Sequence, residues 1–127
     1  MDKFRFLKWQ AYKDSQKLLT EIIKIAKKLP REYRFELGSQ IIRSSLSVVL
    51  NIAEGSGKNS DRELRRYVDI SLGSLYETLA GVDSLKINKL IDEEEFNIIY
   101  GMVNGISKQL GGFKKRINQQ LPTNNYY

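Results

Sequence analysis
The sequence predicts an all-α fold, an antiparallel, left-handed four-helix bundle with up-down-up-down topology. Three observations lead there. Apolar residues recur at spacings of three and four in four separate stretches. No segment of any length alternates with the period of two that a half-buried strand needs, apart from the ambiguous Phe4-Arg5-Phe6 start. The breaks between stretches are short, as connections between antiparallel neighbours are. With 127 residues, 41% of them hydrophobic and 28% charged, the chain suits one core. The bundle is expected over residues 1–120, with 121–127 as a flexible tail because Leu121-Pro122-Thr123-Asn124-Asn125-Tyr126-Tyr127 has no periodicity.

Helix one is read over Trp9–Leu29, where Ala11, Ser15, Leu18, Ile22, Ile25 and Leu29 form a stripe that Pro30 ends. A short turn over Arg31–Glu36 precedes helix two, which runs from about Phe35 to Ala53 or Glu54. Gly55-Ser56-Gly57-Lys58-Asn59 reads as a loop. Ser60 and Glu63 have the spacing of a capping box, opening a third helix whose Leu64, Val68, Leu72, Leu75, Leu79 and Val82 point one way. Asn88 is expected to stop it in a left-handed conformation. Asp92 and Glu95 repeat the cap, and the acidic run 92–95 sits where a helix dipole favours negative charge. Helix four then carries Phe96, Ile99, Val103, Ile106, Leu110, Phe113 and Ile117.

Helix two is apolar on most sides, with a polar seam of Gln40, Arg43, Ser47, Asn51 and Glu54. Such a helix belongs at a bundle centre or buries a second face in an oligomer. A guanidinium inside so apolar a helix needs a carboxylate, and antiparallel pairing about the Gly55–Asn59 loop brings Glu77 within reach of Arg43 or Gln40. The expectation is a buried structural network of Gln40, Arg43, Asn51 and Glu77. Gly101 and Gly105, one turn apart, are candidates for close helix approach, since each glycine costs a helix about 1 kcal/mol relative to alanine.

Composition narrows the chemistry. The chain has no cysteine and no histidine, which removes thiolate and imidazole catalysis and the usual zinc ligand sets. Gly55-Ser56-Gly57-Lys58 follows a helix and lacks the strand–loop–helix context of a phosphate loop. The acidic run 92–95 suits capping better than metal binding, because consecutive helical side chains diverge. The expectation is therefore no enzyme, no cofactor and no metal, and the charged N-terminal start together with the lack of a membrane-length apolar run suggests a cytoplasmic protein without membrane partners.

The net charge is +6, and residues 1–30 hold eight Lys/Arg against three Asp/Glu. Lys13, Lys17, Lys24, Lys27 and Lys28 share one side of helix one, opposite its apolar stripe. Arg62, Arg65 and Arg66 cluster at the start of helix three, with Lys58 just before them. Both groups are candidates for contacting the phosphates of a nucleic acid, RNA or DNA. Both also fit a solvated helix surface, the second with Asp61 and Glu63 as local partners.

The run Gln40-x-x-Arg43-x-x-x-Ser47-x-x-x-Asn51-Ile52-Ala53-Glu54-Gly55, followed by Gly73-Ser74-x-x-Glu77, resembles the bacterial four-helix-bundle family encoded in 23S ribosomal RNA intervening sequences. Trp9-Gln10, Leu29-Pro30 and Leu37 extend the resemblance over nearly the whole chain. The resemblance implies a small non-enzymatic bundle, assembled as a ring-like homopentamer, with basic surfaces that contact nucleic acid. The chain is also similar to the accessory variability determinants of diversity-generating retroelements, which implies, as an alternative, a protein-interaction module docking a reverse transcriptase. One departure stands out: Val49 occupies a position where many members carry proline, and valine keeps the backbone donor that a kink would lose.

Overall fold
A computed structural model of the chain describes residues 3–120; the tail expected over 121–127 lies outside the described residues. Four long helices form the bundle: α1 (Gln10–Lys28), α2 (Ser39–Ser56), α3 (Asp61–Ile87) and α4 (Glu93–Gln120). Each packs against the two that flank it in cyclic order, α1 on α2 and α4, α3 on α2 and α4. Every adjacent pair is antiparallel. Going from residue 44 to 48 on α2, the hydrogen-bonded partners on α3 descend from Thr78 to Ser71, and along α1 from Asp14 to Lys28 the partners on α4 descend from Gln109 to Glu95.

The stripe read on helix one is buried almost residue for residue, with Leu18 and Ile22 fully enclosed and Ala11, Ser15, Ile25 and Leu29 nearly so. Leu64, Val68, Leu75 and Val82 from α3 and Ile99, Val103, Ile106, Leu110 and Ile117 from α4 complete the core, while Leu72, Leu79, Phe96 and Phe113 pack half-buried at its edges. Burial of this kind, at about 25 cal/mol per Å² of apolar surface, is the main force holding the four helices together.

Several boundaries differ from the sequence reading, each for a physical reason. The Phe4-Arg5-Phe6 start is a 3₁₀ turn over Arg5–Lys8, pinned by Arg5 Nε donating to the Ser56 carbonyl at 3.1 Å and by Phe6 edge-on to Tyr12. Pro30 starts a helical turn over Arg31–Tyr33, which widens into a π-turn over Arg34–Gly38 before α2 begins. Gly55 lies inside α2 and is buried, not in the loop. The left-handed residue after α3 is Lys89, with φ 61°, whereas Asn88 has φ −87°. There Leu90 N donates to the Leu85 carbonyl and Lys89 N to that of Lys86, a Schellman closure that tucks Leu90 against the core. Both expected caps form: Glu63 N donates to Ser60 Oγ, and Asp92 and Glu95 bond each other's backbone N–H.

α2 and α3 meet through small residues. A Cβ on Gly55 would lie 2.8 Å from Tyr67 Cβ and 3.2 Å from Leu64 Cδ1, and one on Gly81 would lie 2.8 Å from Ile41 Cγ2. Gly101 and Gly105, by contrast, have nothing within 4 Å of such an atom, so close approach within the chain is the work of Gly55 and Gly81 instead. Between these glycines runs a ladder of hydroxyls: Thr78 Oγ1 donates to Ser44 Oγ at 2.9 Å, Ser71 Oγ to the Val48 carbonyl at 2.8 Å, and Ser47 and Ser74 share a 2.8 Å bond. Small hydroxylated side chains let two backbones approach while keeping every buried polar atom bonded. Gly55→Ala should therefore destabilise the protein by about 1–3 kcal/mol through overpacking, read as a lower urea midpoint at unchanged slope.

Candidate nucleic-acid interface
The five α1 lysines all reach solvent, but the structure divides them. Lys24 pairs with Glu21 at 3.0 Å, and Lys28 crosses to Glu95 on α4 at 2.9 Å. The Glu95 carboxylate holds the Lys28 ammonium above its ordinary pKa. Exposed pairs of this kind stabilise little, yet they offset the positive charge of two lysines at the far end of the ridge. Lys13, Lys17 and Lys27 make no ion pair among the described residues. Of the α3 arginines, Arg62 is exposed and Arg65 half-buried, while Arg66 bonds Glu63 at 3.3 Å and lies over the Tyr67 ring. The Glu63 carboxylate raises the Arg66 pKa further.

The expected Gln40–Arg43–Asn51–Glu77 network requires correction. Gln40 Nε2 does donate to Glu77 Oε2 at 2.8 Å, but both side chains are exposed. Asn51 turns back on its own helix, donating to the Ser47 carbonyl and hydroxyl. Arg43 is exposed and bonds neither. The cause is rotational: Ile41, Ser44, Ser45, Val48, Val49, Ile52 and Gly55 face inward, which turns positions 43, 46, 50 and 54 outward. The buried polar residues among those described are Ser15, Ser44, Ser45, Ser71 and Thr78, whose hydroxyls carry no charge, so Arg43 needs no place in the interior.

That rotation leaves Leu46 and Leu50 on the solvent side of α2, 38% and 54% exposed. The register of the hydroxyl ladder puts Leu50 level with Ile70 of α3, itself 39% exposed. A second apolar face therefore exists, as the pattern of helix two suggested.

The antiparallel topology gathers cations that are scattered in the sequence. Cutting the bundle across its middle places residues 3–18, 49–73 and 106–120 at one end, with thirteen Lys/Arg against five Asp/Glu. The described remainder holds eight against nine. One half thus carries +8 and the other −1. Residues 91–127 hold four cations against four acids, yet the acids at 92–95 and the cations Lys108, Lys114, Lys115 and Arg116 stand in opposite halves of the molecule. These four are the functional candidates that counting along the sequence missed. Periodicity could have found them, because an antiparallel bundle sends the end of helix four to the start of helix one.

A family model for 23S rRNA-intervening sequence proteins matches residues 8–112. The chain belongs to this family. A crystal structure from the S23 ribosomal protein family of Bacteroides thetaiotaomicron, described as a protein of unknown function, superposes with a TM-score of 0.77 at 24% identity, over 83% of this chain and 98% of that one. This likeness shows the fold. No curated protein matches the chain. No described helix is long and apolar enough to cross a membrane.

Within the basic half, Asp14 is held as an internal acceptor. Its two oxygens receive Gln10 Nε2 at 2.8 Å and Gln109 Nε2 at 2.7 Å, tying α1 to α4. The bond from Gln109 chiefly holds its carboxyl below the ordinary 3.8, against burial that acts the other way, with help from Gln10 and the Lys17 charge. A depressed folded-state pKa means stability that is present above the unfolded value and lost as pH falls through the folded one. Asp14→Asn should therefore lower stability at neutral pH and show a shallower loss than wild type between about pH 5 and 2, measured by urea unfolding across that range.

Proposed function
We propose that this protein is a non-catalytic nucleic-acid-binding bundle, RNA being the favoured ligand, that works as a homo-oligomer, with the ring-like homopentamer implied by the family resemblance as the expected form. The observation that carries the reading is the concentration of +8 on one half of the bundle. A polyanion is drawn to such a surface by release of its own counterions, a force that needs no sequence-specific contact. Lys13 and Lys17 belong to this half and extend it along α1; Lys24, Lys27 and Lys28 lie in the balanced half, two of them facing acids. Arg62, Arg65 and Arg66 border the surface at the α2–α3 corner. Absence of histidine and cysteine from the sequence supports a binding role over a catalytic one.

The oligomer is supported by the second apolar face of α2. Leu46 and Leu50, with Ile70 level with Leu50 on α3, are a poor surface to leave in water and a good one to cover with another copy. Repetition of the basic end around a symmetric assembly multiplies weak contacts through avidity.

A rival reading, docking of a protein such as a reverse transcriptase, is favoured by a separate feature. A cleft of about 520 Å³ between α3 and α4 is lined by Tyr76, Leu79, Phe96 and Val103 among others. Apolar walls of this kind suit a protein side chain better than a phosphate backbone.

Charge reversal at the two ends separates the readings. Lys17→Glu with Lys115→Glu should abolish retention of structured RNA in a low-salt shift assay, while Lys24→Glu with Lys89→Glu, the same change in net charge at the opposite half, should leave most of it. Wild-type affinity should fall steeply with salt, the logarithmic slope being about 0.9 per phosphate contacted on a duplex. Equal effects of the two double variants would refute the basic-half reading. For assembly, Leu50→Glu should shift the native mass toward a single chain, with helicity by circular dichroism unchanged; a wild-type mass of one chain would remove the oligomer.

A further inference from the structure
We infer that the cleft between the start of α1 and the last turns of α4 is a seat for one unpaired base of a single-stranded polynucleotide, with its flanking phosphates held by Lys108 and Arg116. The inference rests on the basic-half reading above and names the subsite and strand form it would take. The cleft measures about 390 Å³. Its lining includes Trp9 from the α1 side and Lys108, Gln109, Gly112, Phe113 and Arg116 from α4, and no acidic residue contributes to it.

Three features define what would fit. The first is aromatic: the Trp9 and Phe113 rings lie with centroids 5.0 Å apart, tilted by 57°, and both are half-buried, so the core fixes their position while part of each reaches the cleft. The second is charge. Lys108 and Arg116 stand one turn before and one turn after Gly112 on the same face of α4. Asp14, bonded to the lining residues Gln10 and Gln109, already accepts from both, and neither cation pairs with an acid among the described residues. The Arg116 guanidinium lies 5.6 Å from the centre of the Phe113 ring. Ring and guanidinium are in mutual contact, so a flat base enters only as Arg116, an exposed side chain, swings outward; it then stacks between the two, as unstacked bases do on aromatic and arginine side chains.

The third feature is the space itself. A Cβ on Gly112 would meet only Arg116 Nη1, at 3.7 Å, which is an ordinary contact. Packing within the chain therefore does not demand glycine at this position, although glycine weakens the helix by about 1 kcal/mol relative to alanine. What glycine does provide is a floor with no side chain of its own, covered only by the Arg116 guanidinium, which is exposed and can swing aside. A ligand with a flat face and negative charge on both sides matches all three features. In a duplex the base faces are covered by their neighbours, so the match is to a single strand.

Trp9 is the only tryptophan in the chain, so its fluorescence reports on this cleft and on the Arg5 guanidinium that lies 5.2 Å from its ring. The full-length protein is titrated at low salt with three probes: an eight-residue oligouridylate, an eight-residue oligothymidylate and inorganic polyphosphate. Both oligonucleotides should quench Trp9 emission saturably, and polyphosphate should bind without quenching. Stronger quenching by one oligonucleotide would assign RNA or DNA as the source of the base. Gly112→Leu, which fills the floor with a better helix former, should remove the quenching and weaken oligouridylate binding by about fivefold or more, the worth of one stacked base. Arg116→Gln, at an exposed position, should reduce both signals as well and guards against a folding defect in the first variant. If wild-type protein retains oligouridylate in a shift assay while Trp9 emission stays constant, or if polyphosphate quenches as strongly, or if Gly112→Leu quenches like wild type, the cleft is not a base seat. If none of the three probes is retained at low salt, the basic-half reading itself fails.

Discussion
The structure depends on how closely α2 and α3 approach each other. Gly55 and Gly81 remove the Cβ atoms that would otherwise hold the helices apart, and serine and threonine hydroxyls fill the interval with hydrogen bonds in place of methyl groups. An interface built this way has little tolerance, because backbone atoms and fixed hydroxyls cannot rearrange as a methionine or leucine side chain can. It sets the rotation of α2 about its own axis. With Ser44, Ser45, Val48 and Ile52 turned inward, Arg43, Leu46 and Leu50 have no choice but to face out.

That rotation links packing to function. The tight pairing leaves apolar residues on the outer side of α2, the surface proposed above for another copy of the chain, while the charged residues near them stay solvated and carry no burial penalty. The motif Asn51-Ile52-Ala53-Glu54-Gly55 ends on the glycine that permits this contact.

Antiparallel topology does for charge what rotation does for the apolar face. α4 starts with acids that cap it and bond Lys28, and it finishes with lysines and arginine beside the N-terminal segment. The acids have a local reason, the capping box; the cations at 114–116 lie short of the last turn, which carries none, and gain nothing from the helix dipole. Their sum across four helices is a molecule with one strongly positive half. At about 8 Å of screening in physiological salt, the halves act as separate surfaces, so net charge alone describes neither.

The sequence by itself determined the number of helices, their order and most of the core, because a stripe such as Ala11, Ser15, Leu18, Ile22, Ile25 and Leu29 has one way to be buried. It also marked both capping boxes, whose partners are three residues apart. It placed Gly55 in a loop and Arg43 in the interior, since a helix apolar on most sides gives no signal of which side its neighbours occupy. Only the tertiary structure decided the rotation of α2, the gathering of cations from three distant segments, and the meeting of Trp9 with Phe113. Those are contacts between residues far apart in the chain, fixed by how whole helices pack, and no local pattern contains them.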